Sequence, residues 1–191
     1  VGEMAVLLAR ILRYGVSASG GPVTLRDEAN NLADYIRLQE LRYRGTVSFL
    51  VSIDPGVLTC ACPRMILQPV VENALYHGVS SLERGGMVQV LGYREEERLV
   101  LRVSDNGQGM EPERAALLND YINGRNKAFR SIGLKNVNRR IRLSYGEEFG
   151  VQIQSVLGRG TMITVTLPAR EPEQEGDASD GHTDTTHPCG G

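Results

Sequence analysis

The chain has 191 residues, 41% of them hydrophobic, with 21 Lys and Arg against 23 Asp and Glu for a formal net charge of −2. That length supports one compact domain plus appendages, and the near-neutral balance gives no general pull toward nucleic acid or an anionic membrane, so no nucleic-acid partner is expected. No apolar run approaches the roughly 20 residues that cross a bilayer, and no basic stretch leads into an apolar one as in a signal peptide. The segment therefore reads as soluble. It begins at Val1 rather than Met, which suggests a piece of a longer protein, and any membrane attachment would come through segments not in this chain.

Two helical stretches come first. Met4 to Tyr14 carries Val6, Leu7, Leu8, Ile11 and Leu12 on a broad apolar face broken by Arg10 and Arg13. A Gly/Ser-rich joint, Ser17 to Gly21, follows. Thr24, three residues before Asp27 and four before Glu28, predicts a helix start. Leu25, Ala29, Leu32, Ile36, Leu38 and Leu41 then recur at helical spacing. Such a helix pair suits helix–helix association; packing on the domain's own core is the alternative.

Strand signals come next. Val47, Phe49, Val51 and Ile53 alternate with Ser48, Leu50 and Ser52, up to the turn signal Asp54-Pro55-Gly56. Cys60-Ala61-Cys62 has too tight a spacing for a structural zinc site and lacks a second pair, so a short extended segment is expected. With Cys189 the thiols number three, an odd count that argues against a disulfide framework and suits a reducing compartment. A helix is predicted from Pro63 to His77, strands from Val88 and from Leu99, and Glu95 to Arg98 as the charged tip between them. Ser131 to Tyr145 reads as a helix, and Val151–Val156 and Met162–Leu167 as strands flanking Leu157-Gly158-Arg159-Gly160. Hairpins with helices interposed indicate an α+β fold, a sheet covered on one face by helices. From Ala169 to Gly191 large apolar residues are almost absent, so this tail, with His182 and His187, reads as disordered.

Four segments carry possible chemistry: Gln68 to Gly78, Asp105 to Met110, Ile132 to Val137, and Gly158 to Thr161. Singly each has an ordinary explanation, such as the Asp105-Asn106-Gly107 turn after a strand. Asn73 stands out, because it sits among Ile66, Leu67, Val70, Val71, Ala74 and Leu75, where an unpartnered buried amide costs roughly 1–3 kcal/mol. Either it is a satisfied core amide or its oxygen faces a cavity holding a cation. Taken together the segments suit a nucleotide. Asp105 at a strand end can accept from an exocyclic amino group, and Gly107 and Gly109 let backbone approach a flat ring. The start of the Ser131–Tyr145 helix offers N–H groups to phosphates, with Arg125, Lys127 and Arg130 just ahead of it. An amide oxygen such as that of Asn73 is a hard ligand suited to Mg2+.

In this order and spacing the segments resemble the N box and the three glycine boxes of the histidine-kinase ATP-binding domain. That domain belongs to the superfamily of gyrase, Hsp90, histidine kinases and MutL. The wording of Gln68 to Gly78 is similar to the LytS- and YesM-like sensor kinases, and the resemblance spans about Leu25 to Pro168. No P-loop pattern is present, in keeping with that superfamily. The resemblance implies a Bergerat-type ATP-binding sandwich with ATP and Mg2+ as cofactors. It assigns Mg2+ ligation to Asn73, adenine recognition to Asp105, and the base pocket to Asn106, Gly107, Gly109 and Met110. Gly133 and Leu134 would open the phosphate-binding helix, with Lys127 nearby, Gly160 and Thr161 would line the far side of the adenine, and a lid would run from Glu111 to Ile132. His77 is a candidate for phosphate or ribose contact and Glu72 for an auxiliary catalytic acid.

Some positions depart from the pattern. Tyr76 stands where relatives often carry a basic residue, and Ser131 replaces a common glycine. Pro69 stands where ATP-hydrolysing relatives place a glutamate base, which argues against water activation. None of the three histidines lies on the opening helices, and the resemblance implies a phosphoacceptor histidine in a motif ahead of this stretch. The implied organisation is residues 1–44 as the end of a helical dimerisation region, 45–168 as the catalytic domain and 169–191 as tail. The implied reaction is γ-phosphoryl transfer to a histidine and relay to a response regulator receiver domain, by a parent that is a homodimer. A related ATPase or serine kinase, and a non-catalytic nucleotide-binding module, are the competing readings.

Overall fold

The structure, a computed structural model, describes residues 2–16, 21–80, 82–127 and 132–172. Helix α1 (Gly2–Val16) buries Leu7 and Ile11 against α2 (Leu25–Tyr43). The predicted joint lies outside the described residues from 17 to 20. Helix α2 opens with a capping box: the Asp27 N–H donates to the Thr24 hydroxyl oxygen, while the Asp27 carboxylate accepts from the Thr24 N–H at 3.0 Å. Its inner face, Leu25, Leu32, Tyr35 and Ile36, joins the core of the rest of the chain. For α2 the alternative of packing on the domain's own core is what the structure shows. Val23–Thr24 (β1) pairs antiparallel with Ala61–Cys62 (β3), so the cysteine segment is indeed extended.

The main sheet has five strands in the order β2 (Val47–Ile53), β4 (Gly86–Glu95), β5 (Arg98–Asp105), β7 (Gly160–Pro168), β6 (Gly150–Val156). Only β2 and β4 run parallel, in a register placing Phe49 beside Val88; the other pairs are antiparallel. One face of the sheet is apolar: Val88, Val90, Leu99, Leu101, Val103, Ile163, Val165 and Leu167 are almost fully buried beneath the helices. The intervening residues, among them Gln89, Arg102, Thr164 and Thr166, stand on the opposite, wetter face, as the period of two requires. The fold is α+β with helices on one face of a mixed sheet.

Helix α3 (Leu67–Asn73) starts four residues later than Pro63. Met65 has φ +58°, outside the helical region, which ends any continuous helix from Pro63. Pro69 sits in the first turn, where its missing N–H removes no helical bond. Immediately after Asn73 the chain widens into a π-helical turn, Ala74–Val79, a departure that tends to mark functional sites. Helices α4 (Pro112–Ile122) and α5 (Ile132–Tyr145) complete the layer. Residues 112–122, within the expected lid, are helical and bury Ala115, Leu118, Tyr121 and Ile122. The Asn119 side chain donates to the Ile153 carbonyl at 2.8 Å and accepts from the Ile153 N–H at 2.9 Å, pinning α4 to the edge strand β6. Lid residues 128–131, Ser131 included, lie outside the described residues, as do residues 173–191 with His182 and His187. Of the expected tail, Ala169 packs on the core and the Arg170 carbonyl accepts from Ala61 at 2.7 Å.

Candidate nucleotide site

The end of α3, its π-helical turn, the β5–α4 loop and the start of β7 meet at a cavity of about 500 Å3. Its lining includes six of the residues expected from sequence: Asn73, His77, Asp105, Gly109, Met110 and Thr161. The chain also brings in Gly78, Gln108, Glu111, Arg114, Leu118 and Leu157. Arg114 places a guanidinium at the rim, and Leu118 and Leu157 supply apolar wall. The α4 residues were legible in principle, since Pro112 at a first helical position followed by Ala115, Leu118 and Ile122 is a helix signature. Leu157 read only as part of a tight connection.

Asp105 closes the floor of the cavity at 9% exposure. Its Oδ1 accepts from the Gly107 N–H at 2.8 Å. Burial pushes its carboxyl above the usual range, while the N–H groups of Gly107 and Thr161 partly offset that. No salt bridge to Asp105 occurs among the described residues. Asn73 is half-buried, and among the described residues its side-chain amide makes no hydrogen bond. It is therefore not a satisfied core amide. His77 is exposed beside it, and its carbonyl accepts from Gln108 Nε2 at 3.2 Å.

Other expected residues stand behind the cavity. The Asn106 side chain accepts from the Met87 N–H at 2.7 Å and donates to the Gly85 carbonyl at 2.9 Å, holding the loop to the start of β4. The glycines meet protein backbone: a Cβ on Gly107 would run into the carbonyl of Gly78, and one on Gly109, at φ +63°, into the carbonyl of Val156. Their absent side chains let three chain segments stack behind the cavity. Gly160 lies as closely against the Asp105 carbonyl. Glu72 accepts from Gln68 Nε2 at 2.9 Å and does not line the cavity. Leu134 is core, 1% exposed. Gly133 lines a separate groove of about 390 Å3 with Met65, Pro69, Asn136, Arg139, Arg140 and Leu143. Lys127 is exposed at the last described position before residue 128.

Residues 63–171, more than half of the chain, match the family of histidine kinase-, DNA gyrase B- and HSP90-like ATPases, and the chain belongs to that family. Among curated relatives, sensor histidine kinase YesM of Bacillus subtilis is 29% identical over 89% of the chain, which spans 28% of that protein. Sensor protein LytS of Bacillus cereus is 31% identical over 80% of the chain and 26% of its own length. The chain thus spans about a quarter of the sensor kinases it is similar to. Histidine kinase ThkA, solved in complex with the response regulator protein TrrA, shares the fold with a TM-score of 0.58 at 13% identity, over 88% of this chain and 48% of that one.

Proposed function

We propose that the chain is the ATP-binding catalytic part of a two-component sensor histidine kinase. The observation behind this is one cavity with two under-satisfied polar groups: a buried carboxylate without an ion-pair partner, Asp105, and an unpartnered amide, Asn73. Asp105 would accept the adenine amino group, and its buried setting strengthens such a bond. Asn73 fits Mg2+, a hard cation that takes one or two protein oxygens and completes its shell with phosphates and water. The metal would neutralise phosphate charge. The protein's own contribution is positioning: Asp105 orients the base, Asn73 the metal-bound phosphates, and Arg114 and His77 are placed to add polar contacts at the rim.

The γ-phosphoryl would pass to a histidine outside this stretch and then to a response regulator receiver domain, the class of partner seen with ThkA. Residues 1–44 would belong to a helical dimerisation region, 45–168 to the catalytic domain and 169–191 to a tail, in a homodimeric parent. No helix among the described residues is long and apolar enough to cross a membrane; the domain would face the cytoplasm beneath membrane segments elsewhere in the parent. Pro69 at the position of the expected base, and Glu72 engaged by Gln68 rather than open to the cavity, favour transfer over hydrolysis. Calorimetric titration with ATP and a non-hydrolysable analogue, with and without Mg2+, tests the reading. Metal-dependent binding without phosphate release is expected; steady phosphate release would favour an ATPase, and no binding would leave a non-catalytic module.

A further inference from the structure

Helix α3 is short. Between Leu67 and Asn73 it rises only about 9 Å at 1.5 Å per residue, so its direction depends on how its ends are held. The residue at its N-cap, Ile66, has no side-chain acceptor to offer. The acceptor comes instead from α2. Glu28, fully buried, accepts from the N–H groups of Met65 at 2.6 Å, Ile66 at 2.8 Å and Leu67 at 3.1 Å. From the opposite side Arg140 of α5 donates to the carbonyls of Arg64 and Met65. The turn ahead of α3 is thus gripped by its N–H groups from one helix and by its carbonyls from another. One turn further along α2, Asn31 donates to Gln68 Oε1 at 3.1 Å, and Gln68 donates to Glu72, the neighbour of Asn73. Asn73 itself has no internal partner, so its placement is inherited from the helix.

The same carboxylate reaches α1. Tyr14 donates its hydroxyl to Glu28 Oε1 at 2.5 Å, while the Arg64 guanidinium lies over the Tyr14 ring at 4.7 Å and donates to the Tyr14 carbonyl at 3.3 Å. We propose that Glu28 is a positioning residue for the nucleotide site: it caps α3 from α2, sets Asn73 toward the cavity, and through Tyr14 ties nucleotide affinity to the seating of α1. The two opening helices then act as part of the site's frame, and a shift of α1 along α2 changes nucleotide affinity by loosening α3. This rests on the proposed nucleotide-binding role of Asn73 and Asp105.

The test uses the whole chain and a Mg2+ complex of a non-hydrolysable ATP analogue, titrated calorimetrically at a temperature where circular dichroism shows every variant folded. Glu28→Gln should weaken binding about tenfold, a usual size for coupling between sites, and speed amide exchange at residues 70–74 without nucleotide. Val151→Ala, a core truncation on β6 away from α3, should lower the melting temperature yet leave both readouts at wild-type values. Tyr14→Phe, which removes one hydroxyl, should weaken binding about fivefold, the worth of roughly 1 kcal/mol, and it carries the test if Glu28→Gln does not fold. Unchanged affinity and exchange in folded Glu28→Gln, with Asn73→Asp losing binding, overturns the positioning role alone. No binding by the wild-type chain brings down the nucleotide reading itself and this inference with it.

Discussion

The helix that carries Asn73 has two polar sides with opposite fates. Toward α2, Glu28, Asn31, Gln68 and Glu72 are joined in hydrogen bonds among themselves and to backbone N–H groups. Toward the sheet, Asn73 has no partner and Asp105 sits buried with only backbone donors. Burying a polar group is costly unless it finds a partner. On the α2 side these four residues find partners inside the chain and so serve structure, while Tyr35 Oη and Gln39 Oε1 of the same helix are buried without one. The cavity side leaves capacity unused, which is what a ligand needs. Polar burial by itself therefore says little about function; unsatisfied polar burial at an open cavity says much more.

If that contrast is right, the α2 side governs stability and the cavity side governs affinity. The largest effect is expected from Glu28→Ala. It strips the acceptor from three backbone N–H groups, at roughly 1–3 kcal/mol for each one left buried and unmet, so urea denaturation should show a loss of about 3 kcal/mol or more. A smaller loss would mean that water replaces the carboxylate and that this side is less closed than it looks. Next comes Asp105→Asn, which turns one acceptor toward the ligand into a donor. Adenine-nucleotide affinity should fall about 10- to 100-fold by calorimetry, the range expected for a hydrogen bond to a charged group.

The same substitution sharpens the comparison through pH. The Asp105 carboxyl is raised above its ordinary value of 3.8, chiefly by burial. A raised acid binds its proton more tightly when folded, so its stabilising contribution is full below about pH 4 and is lost as pH rises through the folded value. Asp105→Asn should therefore gain stability relative to wild type as pH rises above about 4 and through the raised folded value. A flat difference across that window would show that the Gly107 and Thr161 donors fully compensate the charge. Asn119→Ala, which removes both bonds to Ile153, is expected to cost about 1–2 kcal/mol in the same melts. The smallest effect belongs to Arg10→Ala. Its pair with Asp34 is 3.5 Å long with the arginine 62% exposed, and such surface pairs contribute about 0–1 kcal/mol.

Much of the fold was legible because its local rules act over short distances. Alternation marked β2 and β5, the tight connection at Leu157–Gly160 set off β6 and β7, and the Thr24–Asp27 spacing marked the start of α2. Asn73 was legible as a candidate because an amide in an apolar run is unusual in itself, and Asp105 only because the marked segments were taken together. Helix α4 was missed although Pro112 and the spacing of Ala115, Leu118 and Ile122 were present, since likeness to a lid outweighed periodicity. Gly107 and Gly109 were read as letting backbone approach a flat ring; what their missing Cβ atoms make room for is the backbone of Gly78 and Val156.

The sequence by itself determined most of the elements, the α+β class and three of the four marked segments that meet at the cavity, because periodicity, capping and turn chemistry are local. Only the tertiary structure decided which polar groups would be satisfied. Glu28 reads as an ordinary acid in the first turn of a helix, and Asn73 as a residue that either has a core partner or lacks one. The difference depends on α3 starting at Leu67 against α2 and ending at the cavity beside Asp105, contacts between residues about 40 and 30 positions apart. Hydrogen bonds act over about 3 Å, so what a buried polar group can do is set by the neighbours that folding brings to it.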